Sequence, residues 1–331
     1  MERAAKGSVM PADVVVAGQL ARDLVLVLKG ALPEAGQSGQ VRERREMLGG
    51  KGANQAVALA QLGLRTALIA VAGNDEAGSR LLQQAARDGI DVSGVARRTR
   101  AATGLIVDIV DRRGQWRYLE DLPRSVLLNE SDVRAGEHLF RGARWASVQL
   151  QQPAAAVRAA ARLARQAGCR VLIDGAPPAG ISQEELLSRA DVVRADAREA
   201  ELLAGKAIAG AADAAKAAEA ILRQGAGLVA LAVGDEGNYL AWDDPAWGSG
   251  ELLLPLTGTR VVDTTGAGDA FTAALIKGLD QYQEPEAAAH LAVAAAGTSV
   301  GHPGGRPELT WTALEDQLAR LRDAEAPGTA S

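Results

Sequence analysis

The sequence predicts an α/β protein: a mostly parallel central sheet with helices on both faces, a three-layer α/β/α arrangement, carrying a small separate β lid. Three observations predict it. Short runs of β-branched and apolar residues alternate with longer Ala/Leu runs at helical spacing, the pattern of strand–helix units whose sheet is covered on both sides. Residues 22–47 and 103–121 break that rhythm with paired strand patterns and no helix between them. Two glycine turns, at 49–52 and 266–268, each stand directly before a helical run.

The elements follow in order. Residues 14–17 (Val-Val-Val-Ala) read as a buried first strand, and 24–28 and 41–47 as a strand pair around a Gly/Pro/Ser-rich turn at 30–39. The spacing predicts a helix over 54–62, stopped by Gly63, then a strand at 66–71 and a helix over 77–87 that ends at Asp88-Gly89. A hairpin spans 104–110 and 115–120, with its turn at 111–114. A strand at 145–150 leads to Pro153, which opens a helix to Ala167 with Gly168 as its stop. Strands at 170–173, 191–193 and 228–233 alternate with helices at 184–188 and 211–223. A last glycine turn opens an apolar helix that reaches Gly278. The chain is therefore expected to be one domain over 12–310, with lid strands from 19–48 and 103–121. A C-terminal helix follows at 311–322, and 1–11 and 323–331 are tails. The run 24–28 is apolar on both strand faces, which demands cover from a partner lid or a substrate.

Composition narrows the function. The 331 residues carry 36 Lys+Arg against 41 Asp+Glu, a net charge of −5, which speaks against nonspecific binding to nucleic acid or to anionic membrane. The single cysteine, Cys169, makes neither an internal disulfide nor a cysteine metal site. Three histidines without an HExxH spacing argue against a zinc centre. No apolar run reaches the about 18 residues of a membrane span, and the start of the chain lacks the apolar core of a signal peptide. A cytoplasmic location is expected. With aromatics at 3%, the core must come from Ala, Val, Leu and Ile.

The segment 261–271, Val-Val-Asp-Thr-Thr-Gly-Ala-Gly-Asp-Ala-Phe, reads as a strand end, a glycine turn and a helix start. Converging backbone N–H groups there form a ready anion site. Asp269, in the first turn, is placed to accept a proton from a hydroxyl; a helix-capping Asp in a tight turn is the plainer alternative. Gly49-Gly50-Lys51-Gly52-Ala53-Asn54 also precedes a helix. It is no Walker A loop, because Gly52 stands where Ser or Thr is needed, and 266–268 lacks the third glycine of a dinucleotide fingerprint.

Together GGKGAN at 49–54 and DTTGAGDAF at 263–271 resemble the two signatures of the ribokinase-like (PfkB) family of carbohydrate and nucleoside kinases. The order of strand, lid pair, GGKGAN helix, second lid pair and C-terminal signature matches too, over about residues 12–310. The resemblance implies transfer of the γ-phosphoryl of ATP to a hydroxymethyl group of a sugar. Asp269 would be the general base, and the N–H groups of Gly266, Ala267 and Gly268 the anion hole. Asp23 would accept a sugar hydroxyl, with Gly50, Lys51 and Asn54 as further sugar contacts, although Lys51 has a structural reading as a stem packed under the lid. Asp196 and Glu199 would organise Mg²⁺ and its waters; the alternative is a helix N-cap at Asp196 with Glu199 on the surface. Gly234 and Gly237 would flank the ATP phosphates, where Ala232 replaces a common threonine. Val293, Ala296 and Gly297 fall in the helix that borders adenine.

A monovalent cation (K⁺) loop would draw on Asp263 and Thr265, then on Ser299, His302, Gly304 and Glu308; Asp263 bonding its own turn is the alternative. Departures from the family pattern fall where the sugar is specified: Ala21 for an asparagine, Gln151 for a glutamate, and altered stretches at 122–125 and 174–177. These leave open a nucleoside kinase, or a sugar-binding regulatory protein with weak turnover. Trp116 and Tyr118 share one lid-strand face and would either stack on a sugar or base or meet a partner lid. The need to cover the apolar strands favours the partner, a homodimer through the lids.

Overall fold

The computed structural model describes residues 10–113 and 115–325. The expected tails therefore fall largely outside the described residues, as does Gly114 of the expected turn at 111–114. A nine-stranded sheet forms the centre, in the order β13-β12-β11-β10-β9-β8-β1-β4-β5. Seven strands are parallel neighbours: β1 (Val14–Ala17), β4 (Thr66–Gly73), β5 (Asp91–Arg98), β8 (Trp145–Gln149), β9 (Arg170–Asp174), β10 (Val192–Ala195) and β11 (Leu228–Ala232). The antiparallel hairpin of β12 (Asn238–Asp244) and β13 (Gly248–Leu254) closes one edge.

Strand alternation divides the core into two layers. Val14 and Val16 of β1 face one way, with Leu68 and Ala70 of β4. They pack on α1 (Lys51–Gln61), α2 (Glu76–Arg87), α8 (Ala267–Tyr282), α9 (Pro285–Ser299) and α10 (Trp311–Glu325). Val15, Ala17, Ile69 and Val71 face the other way. Their layer holds α3 (Glu130–Ala135), α4 (Ala154–Gln166), α5 (Gln183–Leu187), α6 (Ala197–Ala204) and α7 (Ala211–Leu222). Each fully buried Val or Leu stabilises the fold by about 1.5–3 kcal/mol. The shortage of aromatics is met as expected by small and branched aliphatic side chains, Phe140 being a buried exception.

The lid is a four-stranded sheet in the order β3-β2-β6-β7, with β2 (Ala21–Leu28), β3 (Val41–Gly49), β6 (Leu105–Val110) and β7 (Trp116–Asp121). Two antiparallel hairpins meet through parallel pairing of β2 with β6. The run 24–28 is not equally apolar-covered on both faces. Val25 and Val27 are buried on the inner side with Val110, whereas Leu24 and Leu26 are half-buried on the outer side.

Several boundaries differ from expectation. The first helix begins at Lys51 rather than 54, because Gly50 (φ 87°) is its N-cap and the glycine turn ends there. Pro153 (φ −55°, ψ 137°) is the N-cap of α4 rather than its first residue. The strand expected at 191–193 runs on to Ala195, so Arg194 lies inside a buried strand. The C-terminal helix extends to Glu325. The strand β5 and the edge hairpin were not anticipated.

Candidate active site

The site forms where the parallel strands end, beneath the lid, the usual crevice of such sheets. The turn before α8 has a fixed backbone: Gly266 is its N-cap at φ 77°, and a Cβ there would lie 1.9 Å from the Gly305 carbonyl oxygen. Any other residue would both strain the turn and collide. Asp269 follows in the first turn and is 5% exposed. Asn54 Nδ2–H donates to its Oδ2 (3.1 Å) and Gln55 Nε2–H to its Oδ1 (3.2 Å). Gln55 gives its second amide hydrogen to Asp174 Oδ2 (2.8 Å) and accepts at Oε1 from Ser147 Oγ–H (2.7 Å), which fixes the amide's orientation. Arg194 Nη1–H donates to Asp174 Oδ1 (3.0 Å). A continuous chain Arg194–Asp174–Gln55–Asp269 results, with every link on a rigid strand end or helix.

Burial governs the charges. The Asp269 carboxyl is pushed up to about 7 by desolvation and by the Asp174 carboxylate, against the pull of Lys51, Asn54 and Gln55. Asp23, 5% exposed, is pushed up to about 8 by burial and then by Asp269 and Asp263. Burial works against the charge on Lys51, but the carboxylates of Asp174, Glu199 and Asp269 outweigh it and hold the amine above its usual value. A base poised near neutrality is the property that proton abstraction from a hydroxyl requires.

Two cavities meet at this turn. The first, about 400 Å³, is lined by Asp23, Gly50, Lys51, Asn54, Gln151, Asp196 and Asp269, together with the 264–268 turn. The second, about 320 Å³, is largely apolar and is lined by Leu256, Val261, Phe271, Val293, Ala296 and Gly297 among others. Gly234 and Gly237 line neither cavity; Ala232 and Asn238, on either side of them, line the second.

Trp116 and Tyr118 correct the expectation that they meet a partner lid. The pairing of Asp23 with Ile106, and of Ile106 with Glu120, puts Trp116, Tyr118 and Glu120 on the inner face of β7, and all three line the first cavity. Their rings lie 4.6 Å apart, and the Tyr118 hydroxyl contacts Thr265 Oγ1. Arg117, Leu119 and Asp121 alternate with them on the outer face.

The acidic segment takes the capping arrangement, with one departure from it. Asp196 is the N-cap of α6, accepting from Glu199 N–H (2.8 Å), and Glu199 Oε2 accepts from Asp196 N–H (2.9 Å) in a capping box. Glu199 is nevertheless 8% exposed, not on the surface, and its Oε1 accepts from Lys51 Nζ–H (3.3 Å). Among the described residues no cluster of three or more His, Cys, Asp or Glu side chains stands as a metal cage. Asp263 bonds its own turn, accepting at Oδ1 from Thr265 N–H (2.9 Å) and at Oδ2 from Gly304 N–H (2.8 Å). Next to this corner Ser299 Oγ, and both oxygens of the lid's Asp108, are buried without a hydrogen-bond partner among the described residues. An oxygen-seeking cation would satisfy such atoms.

Gln55, Arg194, Glu120 and Asp108 were missed by sequence reasoning. For Arg194 a signal existed, a lone charge inside the strand pattern Val-Val-Arg-Ala. For Gln55 there was none, since a Gln in a helix is ordinary.

Comparisons with known proteins bear on the family and the fold. Residues 11–312 match the pfkB family of carbohydrate kinases. The mouse ribokinase is 31% identical over 265 residues, 80% of this chain and 80% of that one. The solved ribokinase of Thermotoga maritima is 26% identical and superposes with a TM-score of 0.73, covering 93% of this chain and 99% of that one. The Arabidopsis thaliana ribokinase, solved with ribose and ATP, shares the fold at 24% identity and a TM-score of 0.74, covering 93% and 99%. Among the described residues no helix is long and apolar enough to cross a membrane. With the signature turns, the lid and the match over nearly the whole chain, the protein belongs to the pfkB family of carbohydrate kinases.

Proposed function

We propose that this ATP-dependent carbohydrate kinase phosphorylates a hydroxymethyl group of a sugar, with Asp269 as the general base. The observation that carries the reading is the position of Asp269. It lies at the head of α8, held by Asn54 and Gln55, and faces the first cavity beside the turn that this cavity shares with the second. In this reading the sugar occupies the first cavity. Asp23, Asn54, Lys51 and Gln151 receive its hydroxyls, and Trp116 and Tyr118 cover its apolar face. The nucleotide occupies the second, where the apolar wall of Val261, Phe271 and Val293 suits a flat base. Asp269 takes the hydroxyl proton as the oxygen attacks. The backbone N–H groups of Gly266, Ala267 and Gly268 stabilise the transferring phosphoryl.

Mg²⁺, which supplies charge neutralisation of the phosphates, would be held through water by Glu199 and Asp196. A monovalent cation would sit by Asp263, Thr265, Ser299 and Gly304. Two outer-face features support a homodimer through the lids: Leu119 is 61% exposed, and Leu24, Leu26, Val107 and Ile109 share its side of the sheet, half-buried. That is an apolar patch in need of cover. ADP release should be measured with ATP across pentoses, hexoses, sugar acids and nucleosides. Sugar-dependent turnover supports the reading. Turnover confined to nucleosides would instead assign the Trp116–Tyr118 face to a base, and no turnover with any acceptor would leave a binding protein.

A further inference from the structure

We propose that Arg194 is a catalytic residue of the transfer, its free guanidinium edge holding the phosphoryl group as it passes from the nucleotide cavity to the sugar cavity. The inference rests on the reading of Asp269 as base and adds a second participant to it. Arg194, Thr264, Ala267 and Gly268 line both cavities. Arg194 is the charged side chain among those four, so the cationic group stands where the two spaces join. Its Nη1 is committed to Asp174 Oδ1 at 3.0 Å. Its Nη2 lies against the turn, where a Cβ added at Gly268 would come within 2.5 Å of it. The absence of a side chain at Gly268 is what lets the guanidinium reach the anion-binding backbone.

The group is also held in place. Arg194 projects from the end of β10 and is 9% exposed. Asp174 grips it from β9, and the Phe271 ring lies 5.9 Å from its Cζ. Asp174 is in turn held through its other oxygen by Gln55, which also holds Asp269. One rigid network thus positions the base and the cation together, and little reorganisation is left for the moment of reaction.

The chemistry assigns it a task. The sugar oxygen forms a bond to the γ-phosphorus and its proton goes to Asp269. The bond from that phosphorus to the β–γ bridging oxygen breaks, and its electron pair leaves with ADP. Negative charge spreads over the three equatorial oxygens and the leaving oxygen. Backbone N–H groups of the 266–268 turn meet this charge. The planar guanidinium packed on Gly268 of that turn adds fixed donors beside them, with directional bonds that an ammonium does not reproduce.

The competing view is that Arg194 serves only as the counter-ion of the buried Asp174. Arg194→Met alone strands that carboxylate and can unfold the protein, so the double variant Asp174→Asn/Arg194→Met, which removes both charges, is measured beside it. The amide introduced by Asp174→Asn retains an oxygen for Gln55. The proposal expects kcat about 10²–10³-fold below wild type in both variants, with KM for the sugar little changed. It also expects affinity for a non-transferable β,γ-methylene analogue of ATP to fall about tenfold or more while ADP binding stays unchanged, the loss of a charge-assisted contact to the γ-phosphoryl. Recovery of kcat to near wild type in the double variant would reduce Arg194 to a counter-ion and overturn the proposal, as would unaltered affinity for the analogue. The binding arm does not involve proton abstraction, so it separates a failure at Arg194 from a failure of Asp269 as base. Asp269→Asn keeps its analogue affinity if only the base is lost.

Discussion

Replacing Asp269 by Asn isolates proton abstraction from folding and from nucleotide binding. The carboxyl accepts two hydrogen bonds, from Asn54 and Gln55, and an Asn side chain can accept one and must face the other donor with its own N–H₂. That costs about 1 kcal/mol. Against it, burial and then the Asp174 carboxylate push the carboxyl up to about 7 and so disfavour its ionised form, a penalty the neutral amide escapes. The variant should therefore fold, with Tm within about 4 °C of wild type or slightly above it. Loss of a positioned base lowers kcat by about 10²–10⁴, equivalent to about 3–5 kcal/mol in the barrier. Steady-state ADP release at saturating sugar reads kcat, and calorimetric titration of ATP, expected to be nearly unchanged, reads binding. A folded variant that retains turnover within tenfold of wild type would remove Asp269 from the chemistry.

The charges and the lid carry three more expectations. The kcat/KM profile should have an acid limb near pH 7, activity falling about tenfold per pH unit below it, because a base must be unprotonated to work. Since Lys51 pulls that value down, Lys51→Met should move the limb to higher pH; a limb fixed near pH 4 in both proteins would contradict the burial of Asp269. At the opposite end of the sheet, Asp13 accepts from Arg65 (2.5 Å) and Arg144 (2.7 Å), and these bonds, led by that of Arg65, hold its carboxyl well below the usual range despite its burial. A depressed value means stability present above about pH 4 and lost as pH falls below it. Asp13→Asn should then cost about 1–2 kcal/mol in denaturant unfolding at pH 7, a cost that begins to shrink below about pH 4 and is gone only once pH has fallen through the depressed native value, and a cost independent of pH would refute the pairing. Charging the outer lid face by Leu26→Glu with Leu119→Glu should convert a dimer to a monomer by light scattering, while a wild-type protein already monomeric at micromolar concentration would exclude the lid interface.

Much of the fold was legible because burial enforces periodicity. The runs at 14–17, 66–73 and 228–232 are almost wholly apolar since both sheet faces are covered, and their short lengths and flanking turns mark them as strands. The strand β5 was not legible, because Asp-Val-Ser-Gly-Val-Ala-Arg-Arg lies at a sheet edge and is partly exposed along its length. At the site, Asp269 was singled out through a glycine turn that precedes a helix, a local signal, whereas Gly50, Lys51 and Asn54 were assigned through the resemblance that the two glycine turns carry. The inward direction of Trp116 and Tyr118 was not local. It depends on the register of β7 against β6 and of β6 against β2, and a one-residue slip would have turned both rings outward. Arg194 and Gln55 become significant through Asp174, which stands 20 residues from one and 119 from the other. Asp196 takes its structural reading, the cap that starts α6, and also lines the first cavity.

Transfer of a phosphoryl group to a hydroxymethyl oxygen of a sugar is tested at its most exposed point by proton-coupled ³¹P NMR of the product. With ATP and the best acceptor from the panel, a new phosphate monoester resonance should appear, split into a triplet by the two hydrogens of a CH₂–O–P unit. A doublet, from a ring or anomeric carbon bearing one hydrogen, or inorganic phosphate as the sole product, would contradict that transfer.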